Sequence, residues 1–315
     1  MYEKWKGVHT RCAFNMIQEL IPLTRPRTLA AALGPTILGA AFSYYAFGAA
    51  QGTGLAIFHT VLIFLAVVTA QIVANLWNEY KDFKSGLDAG QKVGNAGSIT
   101  RGVITPELII TMIKVLMFVP ITIGIYLSAT ITWYYIPIGF LCILISFLYS
   151  GGPKPISRTP FGEISSGIAM GFAIVLITGY AWIRELSLAL LIPAIPSTLL
   201  VGSIMLTNNI RDIRNDESHG RHTLPIVLGR ERALSLMSIS YIFNFIWIIA
   251  WIIIGHMTWF ALLAFLSAPL AFKTIRTLST NTDEFQLDKA MGTTAGAAMI
   301  YQLMWAIGLI MDKLF

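Results

Sequence analysis

LAIFHTVLIFLAVVTAQIVANLW, residues 55–77, runs directly into NEYKDFKSGLD, residues 78–88. The first stretch supplies the ~20 apolar residues that a helix needs to cross a ~30 Å hydrocarbon core. The second places an Asn, two Lys, a Glu and two Asp within eleven positions. A span that ends this way needs a reason, because carboxylates at a membrane boundary are costly unless they have work to do.

The rest of the chain repeats the first half of that pattern. Of 315 residues, 56% are hydrophobic and only 12% charged, against about 25% charged in soluble domains. Backbone polar groups in lipid must be satisfied within the segment, so helices are expected. No period-2 alternation suggests a membrane barrel. Nine apolar stretches read as spans: 28–48, 55–77, 107–128, 132–150, 163–183, 186–207, 234–254, 257–275 and 292–311. The fifth and sixth are divided only by Ile183–Glu185, which leaves eight spans as the alternative. The expectation is an all-α transmembrane bundle forming a single domain over 1–315. Residues 1–27 would be an N-terminal interfacial segment, because Ala13, Met16, Ile17, Leu20 and Ile21 share a helical face beside polar residues. Cys12 and Cys142 do not form a disulfide framework.

Basic loops stay cytoplasmic. With nine spans and an inner N-terminus, 20 of the 22 Lys and Arg fall inside, leaving only Arg184 and Lys313 outside. That asymmetry predicts a multi-pass protein of the cell membrane, in contact with its lipid, with N-terminus and motif loops cytoplasmic. It also accounts for the net charge of +6 without nucleic acid.

It does not account for the acids. Asn78 and Asp82 are four apart and share one helix face; Gly86 permits a turn, after which Asp88 can fold back. The second cluster is NNIRDIRNDESHG, residues 208–220, where Asn208, Asp212 and Asp216 recur at i, i+4 and i+8. Both clusters end an even-numbered span, four spans apart. This reads as a duplicated four-helix unit with a ninth span left over. Carboxylate and amide oxygens are the hard ligands Mg2+ takes, with waters and substrate phosphates completing its shell. Lys81, Lys84, Lys154, Arg211 and Arg214 could carry remaining phosphate charge. The plainer alternative is a pair of solvated helix ends balanced by neighbouring cations. A transporter is a second alternative, although its charges should lie at mid-membrane on broken helices. The segments 84–105 and 211–232 read as loops capping such a site, with Thr105–Pro106 as the start of the third span.

The clusters resemble the two Asp-rich motifs of the UbiA superfamily of intramembrane aromatic prenyltransferases. Asp212, Asp216 and Gly220 meet the second motif, D-x-x-x-D-x-x-x-G. In the first, Asn78 and Asp82 match, Glu79 stands where Asp is usual, and Gly86 takes the last acidic place with Asp88 two residues on. That displaced form is similar to the branch that prenylates 1,4-dihydroxy-2-naphthoate on the route to menaquinone. LTRPRTLAAALGPTILG (23–39), YSGGPKPISRTPFGEI (149–164) and NNIRDIRNDESHGRHTLPIVLG (208–229) point the same way, whereas Arg158 stands where an aromatic residue is expected. The resemblance implies transfer of a polyprenyl chain from a polyprenyl diphosphate to the naphthoate, with loss of CO2 and pyrophosphate. It implies Mg2+ as cofactor, held by Asp82, Asp88, Asp212 and Asp216 with Asn78 and Asn208 assisting. Arg25 would take the acceptor carboxylate, Lys154 either substrate, Tyr149 and Ser150 further hydrogen bonds, and Arg101 and Arg211 the phosphates. Glu163 would pair with Arg158 or orient Lys154. A sister branch acting on 4-hydroxybenzoate or another aromatic acceptor is the alternative within the superfamily.

Overall fold

The computed structural model describes residues 20–87 and 97–315. Asp88, the N-terminal stretch 1–19 and residues 88–96 of the first cap loop lie outside the described residues, so those expectations are not addressed by the fold. Among the described residues there is helix and turn and no strand.

Each of the nine apolar stretches carries a helix. In chain order these are α1 (Ala30–Phe47), α2 (Thr53–Ser85), α3 (Pro106–Thr130), α4 (Tyr135–Ser150), α5 (Gly162–Ile183) and α6 (Leu188–Arg211). Two short helices follow, α7 (Ile213–Ser218) and α8 (Leu224–Leu228), then α9 (Arg230–Ile253), α10 (Trp259–Thr280) and α11 (Glu284–Leu314). Seven of them are long and apolar enough to cross a membrane; α4 is a shorter apolar helix. The expected cap segment 211–232 is thus mostly helical, as α7, α8 and the first turn of α9.

The boundaries follow local chemistry. Arg184, in the left-handed region at φ +61°, ends α5 and separates it from α6, so the narrow break at Ile183–Glu185 is real. Thr105 caps α3, accepting from the Leu108 N–H at 3.2 Å, with Pro106 in the first turn where its missing N–H costs nothing.

The buried core gathers where α1, α6, α9, α10 and α11 meet, around Phe42, Leu38, Tyr301 and Trp305. A second cluster joins α2 to α3 through Val73, Leu76, Ile109 and Ile113. Outward-facing residues of α3 and α4, among them Phe118, Ile125 and Phe140, are exposed and apolar, as a lipid-facing surface requires. Helices α5 and α6 approach most tightly at Gly167 and Gly171. A Cβ on Gly171 would stand 2.6 Å from the Ser197 backbone. Residues 167–172 widen into a π-helical segment at this crossing. Such bulges are frequent near functional sites.

Candidate active site

The motif ends of α2 and α6 meet. Along α2, Gln71, Asn75, Asn78 and Asp82 line one face, and each is tied to a different part of the chain. Gln71 donates to the Thr28 carbonyl (3.2 Å) and Asn75 to the Thr24 carbonyl (3.0 Å). Ser150, at the end of α4, donates to Asn78 Oδ1 (2.7 Å). Asp82, although buried, accepts from Arg221 Nη2 at 2.7 Å. The stripe therefore docks the Thr24–Thr28 turn, α4 and the loop after α7 onto one helix. Gly86 then ends α2 in the left-handed conformation (φ +76°), its N–H bonded to the Asp82 and Phe83 carbonyls. The second cluster ends similarly, with Gly220 at φ +67°.

Arg221 is the meeting point. Its Nη1 lies 3.3 Å from Asp216 Oδ1 while Nη2 holds Asp82, so one guanidinium bridges both acidic clusters. Asp216 is almost fully buried. That burial pushes its carboxyl up to about 7; Arg221 opposes the rise, and the charges of Asp212 and Asp82 add to it.

The expected helical run through Asn208, Asp212 and Asp216 is interrupted at Asp212 but keeps its i to i+4 hydrogen bonds: the Asp212 N–H donates to the Asn208 carbonyl at 3.1 Å and the Asp216 N–H to the Asp212 carbonyl at 2.9 Å. Helix α6 stops at Arg211; Asp212 sits at φ −94°, ψ 7°, and α7 starts afresh. Asp212 is held in a clamp of its own. Arg211 Nε and Nη2 grip its two carboxylate oxygens at 2.7 Å each. The same guanidinium reaches Asp288 of α11 and Asn208 Oδ1, both at 2.9 Å. Arg211, expected on phosphate, is thus committed to positioning Asp212.

Other expectations fare variously. Lys81 and Lys84 do not face the carboxylates: they lie over the Trp77 and Tyr80 rings, 4.8 and 5.2 Å from the centroids. Lys154 is exposed in the loop after α4. Arg101 is exposed and donates to Ser98 Oγ at 3.3 Å. Glu163 meets Asn209, which donates at 2.8 Å, rather than Arg158 or Lys154; its second oxygen is buried without a partner. Tyr149 lies beside Ser166 and Glu163. Arg25 is drawn into the left-handed region at φ +50°, a strained conformation for a residue preceding proline. The turn around it is over-determined: Thr28 N–H and Oγ1 both donate to the Arg25 carbonyl at 2.8 Å. Its charge is felt by Glu79, Asp82 and Tyr149. Arg158 acts on Asp82 as well, and its carbonyl accepts the His222 N–H at 2.9 Å, linking the loop after α4 to the one after α7. The residue that departs from the expected aromatic therefore belongs to the site's positive rim.

Glu79 has a different role from its neighbours. Wholly buried, its Oε1 accepts the N–H groups of Gly97 and Ser98 at 2.9 Å each, pinning the described end of the first cap loop against α2. An Asp there would be one methylene short of that reach.

Does this donor set fit Mg2+? Among the described residues no three His, Cys, Asp or Glu side chains form a metal cluster. Mg2+ commonly takes only one or two protein carboxylates plus substrate phosphates and waters. Asp82 and Asp216, hard oxygen donors converging on a single cation, meet that requirement.

An all-helical membrane bundle with paired acidic motifs at one end defines a class, and comparison with known sequences identifies it. The UbiA prenyltransferase family matches residues 32–306, and the chain belongs to that family. It is 36% identical over 305 residues to the 1,4-dihydroxy-2-naphthoate octaprenyltransferase of Bacillus subtilis, covering 95% of this chain and 94% of that one. The enzyme of that name from Escherichia coli is 26% identical, covering 96% and 99%. Among solved structures, an apo UbiA homologue from Aeropyrum pernix shares the fold with a TM-score of 0.68 at 18% identity, covering 90% and 98%. A homologue from Archaeoglobus fulgidus bound to GPP and Mg2+ superposes with a TM-score of 0.61 at 15% identity, covering 90% of this chain and 98% of that one.

Proposed function

We propose that this prenyltransferase moves a polyprenyl chain from its diphosphate to 1,4-dihydroxy-2-naphthoate at the cytoplasmic face of the cell membrane, releasing pyrophosphate and CO2 and forming demethylmenaquinol, the hydroquinone form of demethylmenaquinone. The observation that carries the reading is the convergence of Asp82 and Asp216, from two motifs distant in sequence, on one guanidinium. Relatives bearing the octaprenyltransferase name along nearly the whole chain supply the acceptor.

The isoprenoid tail lies among apolar helices, where each buried CH2 contributes roughly 0.8 kcal/mol. The diphosphate sits at the motif end. Asp82, Asp88, Asp212 and Asp216 hold Mg2+ there, with Asn78 and Asn208 assisting. When bound, Mg2+ supplies Lewis-acid stabilisation of the departing pyrophosphate. Arg211 keeps Asp212 oriented, and Ser150 does the same for Asn78. The apolar walls keep water from the allylic cation until the ring attacks. Arg25 takes the acceptor carboxylate, since a guanidinium matches it with two parallel hydrogen bonds. Its unusual backbone aims it from the turn that Asn75 and Gln71 anchor. Lys154 and Arg101, both exposed, meet incoming anionic substrate at the rim, and Tyr149 borders the same space.

The test is turnover by the purified protein with Mg2+ and a polyprenyl diphosphate. Pyrophosphate and CO2 should appear together only when the dihydroxynaphthoate is present. Asp82→Asn and Asp216→Asn should each lower the rate at least about hundredfold, as loss of charge stabilisation at a reacting centre does. Transfer to 4-hydroxybenzoate instead would assign the sister branch. Near-normal turnover in both variants would remove the carboxylates from the chemistry.

A further inference from the structure

Two arginines, Arg211 and Arg221, form direct ion pairs with Asp82, Asp212 and Asp216, and they are held very differently. Arg211 spends its donors in four hydrogen bonds to Asp212, Asp288 and Asn208. Arg221 makes one short hydrogen bond to Asp82 and a looser 3.3 Å ion pair to Asp216, while its Nε–H is buried without any partner. Yet the backbone carrying Arg221 is fixed. Its N–H is bonded to the Asp216 carbonyl at 2.9 Å, and the next N–H to the Arg158 carbonyl at 2.9 Å. A pinned backbone with an underused side chain, lying between two buried carboxylates, describes a part that can swing without moving the loop.

We propose that Arg221 is a built-in counter-ion that occupies the metal position of the substrate-free site. It hands Asp82 and Asp216 over only when a metal arrives together with a diphosphate. The inference deepens the function proposed above and rests on its diphosphate substrate, though not on its aromatic acceptor. Two buried carboxylates facing each other need positive charge. In the free protein the guanidinium provides it. A divalent ion alone must displace that cation without giving it a new partner, so it binds poorly. A metal–diphosphate complex gives the displaced guanidinium a new partner, because its fork matches phosphate oxygens with paired hydrogen bonds. The spare Nε–H becomes one of the new donors. Metal and diphosphate therefore bind with strong positive coupling, and the carboxylates are never left both unpaired and buried. The family's motifs supply the acids; this loop residue, just past Gly220, sets the order in which their ligands arrive.

The experiment is Mn2+ binding to the full-length protein in detergent, read from the electron paramagnetic resonance signal of free Mn2+. It is run with and without geranyl thiodiphosphate, a slowly reacting analogue, and corrected for the complex the two form in solution. Wild type should bind Mn2+ at least about tenfold more tightly with the analogue present, within the usual span of coupling between sites. Arg221→Gln should bind Mn2+ alone at least about tenfold more tightly than wild type, bind the analogue more weakly, and lose most of the coupling. Arg221→Lys, which keeps the charge and loses the fork, should keep the weak metal-alone binding but show reduced coupling. The proposal is overturned if Arg221→Gln binds Mn2+ alone no better than wild type. It is equally overturned if wild type binds Mn2+ as tightly alone as with the analogue, a result that stands even should the variants fail to fold. Failure of the analogue to bind at all would instead sink the diphosphate reading itself.

Discussion

On the proposed function, a proton and a metal compete for Asp216. Burial raises its carboxyl from 3.8 to about 7 despite Arg221, so near neutrality the side chain is divided between neutral and ionised forms. The direction is the reverse of an ordinary salt-bridged acid. The folded state holds a proton that the unfolded state has lost, so metal-free stability declines as pH rises from about 4 to about 7 and is flat beyond. Metal needs the ionised form, so Mg2+ affinity must run the other way. Measured between pH 5.5 and 8.5 with the diphosphate analogue present, Mg2+ affinity should rise up to about tenfold per pH unit below about 7 and level off above it, the response for one released proton. A flat profile would mean that Asp216 carries no metal. Some of this residue-scale picture is legible in the sequence. Asn78 and Asp82 sit four apart on a helix, and helical steps of three and then four run backwards reach Asn75 and Gln71, polar residues embedded in the apolar stretch that were open to reading. Arg221 was not. It follows a left-handed glycine outside any helix, so no periodicity assigns it a face, and only the tertiary approach of two helix ends gives it a partner. The contact of Arg211 with Asp288 was hidden for the same reason, since Asp288 comes from the last helix.

Among the helices, the pairing of α5 with α6 decides whether the second motif is held in place. Gly167 and Gly171 let the backbones touch, and Glu163 at the head of α5 bonds Asn209 inside the second motif. A methyl group on Gly171 would press on the Ser197 backbone, not on a yielding side-chain end, so the helices must part. Gly171→Ala should therefore cost about 1–3 kcal/mol, as overpacking does, read as a lower melting temperature in detergent and a parallel loss of activity. Gly124→Ala in α3, where the new methyl meets nothing within 4 Å, should be neutral or slightly stabilising, because Ala is the better helix former. Equal effects at both positions would deny the crossing any special role. Hydropathy located all nine helical stretches, since length and apolar content are what a bilayer selects. It could not locate the fracture at Asp212. Helical spacing carries on through that residue in the sequence, and at the break Arg211 grips the Asp212 carboxylate, a contact between neighbours that periodicity does not report.

For the whole molecule the open question is which compartment the site faces, and the helix ends make it answerable. Helix α5 has 22 residues, about 33 Å at 1.5 Å per residue, which matches a ~30 Å core. Lys154 precedes α5 on the side of the acidic clusters, and Glu185 follows it in the tight link to α6; both are exposed. The two residues must then lie on opposite sides of the bilayer, whatever the total number of spans. The distribution of charge says which is which, because the end carrying Lys154, Arg158, Arg214 and Arg221 is the basic one and basic ends stay inside. With Cys12 and Cys142 replaced by Ser, Lys154→Cys should react with a membrane-impermeant maleimide only in inside-out vesicles, and Glu185→Cys only in right-side-out ones. Labelling in the opposite sense would invert the protein and place the diphosphate site where a cytosolic substrate cannot reach it. Labelling of both residues from one side would show that α5 does not span, and with it would fall the reading of α2 and α6 as spans whose acidic ends share a leaflet.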